Sequence, residues 1–171
     1  MAFKPLRNVA GVPAQKAANQ YLTFTLGGEL FGIAIGYIKE IIEYGEVSSV
    51  PMMPSVIRGV INLRGAVVPV LDLELRFGRA ASTISKRSCI VILEREEKGR
   101  GDHEGEPEEP AQYLGMIVDA VNEVLEIPVE NIEHAPRFGT SIRSELIQAM
   151  GKVDDKFVII LDVAEVLALD E

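Results

Sequence analysis

The strongest constraint on the fold of this chain is that its second half repeats the pattern of its first. Leu30-Phe31-Gly32-Ile33-Ala34-Ile35 is matched by Tyr113-Leu114-Gly115-Met116-Ile117-Val118. The register then holds: Ile38 falls opposite Val121, Glu40 opposite Glu123, Ile41 opposite Val124 and Glu43 opposite Glu126. Later, Val70-Leu71-Asp72-Leu73 is matched by Ile160-Leu161-Asp162-Val163, at a spacing a few residues longer. A register kept over several positions points to internal duplication of a small five-strand unit. A unit of about 60 residues buries only about 60% of its chain surface and is marginal alone. Two such units must lean on each other, and their junction forms a groove of the kind that binds partners.

The pattern is mostly β. Tyr21, Phe24 and Leu26 lead to the turn dipeptide Gly27-Gly28 and on to a strand over Leu30 to Ile35. Glu46 to Val50 reads as a third short strand, closed by Pro51-Met52-Met53-Pro54. Two β-branched runs flank Asn62-Leu63-Arg64-Gly65, so a hairpin is expected there. Asn62 suits the first position of a type I turn and Gly65 the last, which leaves Leu63 and Arg64 facing outward at the tip. A solvated tip should be polar, so a Leu-Arg pair there suggests a contact surface. Asp72 precedes Leu73-Glu74-Leu75, and Asp162-Val163-Ala164-Glu165 has capping-box spacing. Both aspartates therefore read as helix N-caps rather than catalytic carboxylates, the second opening a C-terminal helix over Asp162 to Leu169.

Composition narrows the function. Hydrophobic residues make up 47% of the 171, enough for a real core. A net charge of −9 repels phosphate backbones and anionic bilayers, so no nucleic-acid partner and no membrane insertion is expected. No apolar run approaches the roughly 20 residues of a spanning helix. Cys89 is the single cysteine; it lies in the strand-like run Ser88-Cys89-Ile90-Val91-Ile92-Leu93 and reads as a small packed hydrophobe. One cysteine and two histidines, His103 and His134, offer no metal-ligand spacing. There is no phosphate-cradling glycine loop and no G-x-S-x-G elbow, so neither catalytic residues nor a cofactor are expected.

The segment Asn62-Leu63-Arg64-Gly65 through Pro69-Val70-Leu71-Asp72-Leu73 resembles the N-L-R-G-x-x-x-P-V-x-D-L block of CheW, the adaptor family of bacterial chemotaxis arrays. Tyr21-Leu22-Thr23-Phe24-Thr25-Leu26-Gly27, Phe31-Gly32-Ile33, Lys39-Glu40-Ile41, Leu114-Gly115-Met116-Ile117-Val118-Asp119 and Val124-Leu125 follow in the expected order. The resemblance implies a mainly β fold of two SH3-like five-stranded barrels side by side, with short helices. A flexible tail over 1–19 would precede a domain over 20–171, divided near 20–87 and 88–171. It also implies a cytoplasmic scaffold that joins the tip of a chemoreceptor bundle to the regulatory domain of a CheA-type histidine kinase. Glu40 and Arg64, with Leu63 at the same tip, match the kinase-binding face. Ile38, Gly59, Cys89 and Val124 match positions linked to receptor binding, and Ile35 is a neighbouring candidate. Without the resemblance, Glu40 and Arg64 read as an ordinary exposed ion pair, and the apolar candidates as core. About half of those apolar candidates are expected to be buried. Two other readings stand beside this one: an adaptor of a different chemosensory array, serving surface motility or biofilm signalling, and a small ligand-binding or enzymatic β-barrel.

The one segment foreign to this pattern runs over about 95–111. It is acidic, rich in Gly and Pro, and almost free of apolar residues, so it reads as a disordered loop within a hairpin. Closure entropy changes slowly with loop length. Deleting Glu96 to Glu109 is therefore expected to leave the thermal melt and partner binding nearly unchanged; a sharp drop in either would show that the loop is structured or functional.

Overall fold

The computed structural model describes residues 19–95, 112–134 and 144–168. The expected tail up to residue 18, the acidic loop from residue 96, and Leu169 lie outside the described residues. The chain is mainly β. In order it forms β1 (Gln20–Leu26), β2 (Glu29–Ala34), β3 (Ile38–Glu43), β4 (Ile57–Leu63), β5 (Ala66–Asp72), the short helix α1 (Leu73–Arg76), β6 (Cys89–Arg95), β7 (Gln112–Val118), β8 (Ala120–Glu126), β9 (Ile132–His134), β10 (Ile147–Val153), β11 (Lys156–Leu161) and the helix α2 (Val163–Leu167).

The strands assemble into two sheets, in the orders β8-β1-β2-β11-β10-β9 and β3-β6-β7-β5-β4. The repeat is visible in these orders. β8 sits where β3 sits, the β1–β2 hairpin where the β6–β7 hairpin sits, and β11 and β10 where β5 and β4 sit. Each hairpin, however, belongs to the sheet of the other repeat. β2 pairs in parallel with β11, and β7 pairs in parallel with β5. The expected division at 87/88 thus separates the two repeats of sequence but not the two sheets. One sheet is built from residues 38–118, and the other from 20–34 together with 120–161. The matched glycines stand at the crossings, with Val70 opposite Gly115 and Ile160 opposite Gly32. A β-carbon at Gly115 would lie 2.7 Å from Ile90 Cγ2, and one at Gly32 would lie 2.9 Å from Val158 Cγ1. Neither site has room for a side chain.

The first sheet has six strands rather than five, because β9 is a true strand. Its counterpart in the first repeat is the stretch expected as a strand over Glu46 to Val50. There only Ser48 pairs, as a single bridge to Val60, with Ser48 N and Val60 N each donating to the other's carbonyl at 2.9 and 2.8 Å. The chain then turns through Pro51 and Pro54, whose nitrogens carry no hydrogen to extend a ladder.

Three apolar clusters follow from this arrangement. One lies inside each sheet, around Ile61, Val70 and Ile92 in the five-stranded sheet and around Val158 and Ile160 in the six-stranded one. The largest fills the junction and draws on both sheets and both helices, including Leu22, Phe24, Phe31, Val91, Leu93, Phe77 and Val166. Phe24, Phe31 and Phe77 stack in series at 5.7 and 5.3 Å between ring centroids. Strands at the junction are buried on both faces. On β6, Ile90 and Ile92 face the sheet interior while Val91 and Leu93 face the junction. Each such side chain contributes about 1.5–3 kcal/mol on burial.

Both aspartates cap helices as expected. Asp162 Oδ1 accepts from Glu165 N at 3.3 Å and opens α2, which ends at Leu167 with Ala168 as its C-cap. Asp72 is wholly buried and does more. Its carboxylate accepts from Glu74 N, Leu75 N, Ser82 N, Ser82 Oγ and Arg58 Nη1 at 2.8–3.4 Å. It therefore ties β5, α1, residue 82 and the edge strand β4 at one point. Arg76 of α1 then reaches across to α2, donating to the carbonyls of Glu165, Val166 and Ala168 at 2.7–3.3 Å. The two equivalent caps should differ in weight. Asp162→Ala is expected to cost about 1 kcal/mol, the worth of a cap. Asp72→Ala, which orphans several buried donors, is expected to cost roughly 2–4 kcal/mol. Denaturant unfolding of the two variants side by side checks the ranking, and equal losses would refute it.

Candidate functional site

The β4–β5 hairpin is the local structure that sets the first face. Its turn holds two residues, Arg64 and Gly65, between the paired Leu63 and Ala66. Arg64 has φ 52° and Gly65 φ 88°, the primed turn that matches the twist of two strands joined by a two-residue loop. The expected type I turn is thus replaced, and the register moves by one position. Leu63 does not face outward at the tip: it ends β4 with 7% exposure and packs with Ile61, Val68 and Ile92. Asn62 still secures the turn, its Oδ1 accepting from Gly65 N at 2.9 Å. Arg64 and the exposed Val67 are what the tip presents.

Glu40 and Arg64 meet. Arg64 Nη1 donates to Glu40 Oε2 at 2.9 Å and Nη2 donates to Oε1 at 2.8 Å, a two-pronged pair. It is not an ordinary exposed pair, because the Glu40 side chain is only 7% exposed while that of Arg64 is 69% exposed. Glu40 lies on β3 and Arg64 follows β4, the two strands at opposite ends of the five-stranded order. The pair, with the Ser48–Val60 bridge, draws those edges together and curls the sheet on itself. Gly59 belongs to the same closure. A β-carbon there would lie 2.3 Å from Ser48 O, so the bare backbone lets residue 48 approach β4. Gly59 is buried, as is Ile35. Neither presents a side chain on the surface, so these two fall in the buried share expected of the apolar candidates.

The other apolar candidates lie at a surface. Ile38, Cys89 and Val124 are half-buried and pack on the edge of the junction cluster, together with Val121. Between the sheets, a cavity of about 250 Å³ is lined by Ile41 and Glu43 of β3, Lys86 and Arg87 before β6, Cys89 at the start of β6, and Ala120 and Val121 of β8, among others. Cys89 lines this cavity; Ile38 and Val124 flank the junction outside it. The sequence reading passed over Val121, although it is the repeat's counterpart of Ile38, and that match was the available signal. The cavity has one carboxylate, Glu43, in its lining. The Cys89 thiol is pushed above its ordinary pKa, mainly by burial, while a hydrogen bond with the Val121 backbone pulls it down and the Glu43 charge pushes it up. Its Sγ donates to Arg87 O at 3.5 Å. A protonated, half-covered thiol acts as packing rather than as a nucleophile. Among the described residues, no group of three or more His, Cys, Asp or Glu side chains is placed to hold a metal. Among them, too, no helix is long and apolar enough to cross a membrane.

A charged hairpin tip on the five-stranded sheet and a seam where the two sheets meet are the two candidate faces of this fold. A family model of the CheW-like domain matches residues 20–171. The chain is 28% identical over 166 residues to the chemotaxis protein CheW of Klebsiella aerogenes, covering 97% of this chain and 92% of that protein. It is 30% identical over 151 residues to the chemotaxis protein CheW of Helicobacter pylori, covering 88% and 82%. Among solved structures, the scaffolding protein TtCheW of Thermoanaerobacter tengcongensis is similar at a TM-score of 0.73 and 34% identity, over 89% of this chain and 94% of that one. The chain belongs to the CheW-like domain family.

The role given to Gly59 has a direct test. In a strand with room, Gly→Ala stabilises by reducing the freedom of the unfolded chain. Here Gly59→Ala is expected to lower stability by roughly 1–3 kcal/mol through backbone overpacking. A raised melting temperature would overturn the closure argument.

Proposed function

We propose that this protein is a non-catalytic coupling adaptor of chemotaxis signalling, one that joins the regulatory domain of a CheA-type histidine kinase to the cytoplasmic tip of a chemoreceptor bundle. The observation that carries the reading is the Glu40–Arg64 pair, held on an exposed tip in a chain of the CheW-like family. Arg64 contacts the kinase and Glu40, which is buried, orients it. The receptor helix lies along the seam at Ile38, Cys89, Val121 and Val124, in the manner of a helix seated in an apolar groove. The two faces share β3, which carries Glu40 toward the tip and Ile38, Ile41 and Glu43 toward the seam. The adaptor is recruited in this way to membrane-associated arrays without entering the bilayer.

Arg64→Ala is the cleaner variant of the pair, because Glu40→Lys would place a second cation in a buried position beside Arg64. Arg64→Ala is expected to weaken kinase binding tenfold or more, a loss of at least about 1.4 kcal/mol. It should also lower the melt, since the covered Glu40 loses both donors, so titration belongs well below the melting temperature. Val124→Met should weaken receptor co-sedimentation while kinase affinity holds. Unchanged kinase affinity in Arg64→Ala would sink the assignment of the tip. Normal receptor binding by a folded Val124→Met protein would sink that of the seam.

A further inference from the structure

We infer that the partner group which meets Arg64 is a neutral hydrogen-bond acceptor set in apolar surroundings, such as a backbone carbonyl, and not a carboxylate. The inference rests on the proposed kinase contact at this tip and specifies its chemistry. Both oxygens of Glu40 are engaged by the two terminal nitrogens of Arg64 at 2.9 and 2.8 Å, so the guanidinium charge is matched before any partner arrives. Glu40 is too deeply covered to be displaced cheaply, because a partner that drew Arg64 away would leave a buried carboxylate without its donors. Arg64 therefore stays paired in the complex. An arginine has five N–H donors. End-on pairing through the terminal nitrogens occupies one hydrogen on each, leaving Nε–H and one outer hydrogen on each terminal nitrogen. With its side chain 69% exposed, Arg64 can offer these outward.

The rest of the tip agrees. Between Arg58 and Asp72, Arg64 is the one charged residue. Its neighbours Gly65, Ala66 and Val67 are exposed, Val67 to 70%. Asn62 Oδ1 is already spent on Gly65 N. A second carboxylate brought here would face Glu40 across a single guanidinium, and like charges so close oppose binding. A carbonyl framed by apolar side chains meets the spare N–H groups without that conflict and covers Val67 as well.

The consequence is a contact whose strength does not depend on ionic screening. The kinase regulatory domain is titrated into the wild-type protein and into Arg64→Ala at about 0.05 M and about 0.5 M salt, a span over which the screening length falls severalfold. Arg64→Ala alone leaves the Glu40 charge unmatched, so the charge-balanced Arg64→Ala/Glu40→Gln variant is titrated beside it. Salt effects from the remaining charges then cancel in the ratio of the double-variant to the wild-type dissociation constant, which is the informative quantity. That ratio is expected to be tenfold or more and to stay within about twofold between the two salt levels. A ratio that collapses at high salt would mean that Arg64 meets a partner charge and would overturn the inference while leaving the kinase contact standing. A ratio near one at both salt levels would instead remove the kinase contact itself, and the inference with it. Glu40→Gln in the Arg64→Ala background gives a second reading. No further loss is expected if Glu40 acts only through Arg64, and a further loss in a folded protein would show that Glu40 touches the partner directly.

Discussion

The structure depends on the exchange of hairpins between the two repeats. Each sheet is completed by a hairpin from the other half of the chain, through the parallel pairs β2–β11 and β5–β7. Neither half holds a finished sheet, so neither can fold to its native form without the other. The close crossings that make this possible fall at Gly32 and Gly115, where a β-carbon would strike Val158 or Ile90. What looks like two modules in series is one interlocked body.

That interlocking explains the apolar runs. A strand with one wet face alternates apolar and polar residues, while a strand between two cores does not. Ile90-Val91-Ile92-Leu93 and Val158-Ile159-Ile160-Leu161 serve an inner cluster and the junction cluster in turn. The helices that follow β5 and β11 close the junction, with Leu73, Phe77, Val163 and Val166 buried there. Arg76 then joins one helix to the end of the other, and Asp72 anchors the first to its sheet.

The two proposed faces lie where this body is least symmetric. In the first repeat an ion pair joins the two ends of the sheet and a single bridge stands beside β4; in the second the strand β9 stands beside β10. The ion pair leaves an arginine at a solvent-facing tip with its charge already matched. The seam is the residue of imperfect coverage, since Ile38, Cys89, Val121 and Val124 are packed on the junction core without being enclosed by it. A scaffold with one oriented cation and one seam fits the proposed adaptor role of holding two partners in a fixed relation.

Much of this was legible in the residues. Period-two and continuous apolar runs mark strands because side chains alternate between faces. Asp72 and Asp162 mark helix starts because their carboxylates satisfy free backbone donors, and the repeat shows in the register of Gly32 with Gly115. Those signals are local, or nearly so. Which hairpin joins which sheet is not, because the same strands could complete their own repeat with equal propensity, and only the fit at the crossings decides. The turn at Arg64 was misread because strand twist, a property of the pair, selects the primed class and turns Leu63 inward. Which of the apolar candidates are buried was not legible, because burial is set by distant segments: residue 48 covers Gly59 and the junction core takes in Ile35. That Glu40 and Arg64 meet, with one partner covered and the other exposed, was likewise decided by tertiary structure: their strands lie at opposite ends of a sheet, and only its curling brings them within hydrogen-bond distance.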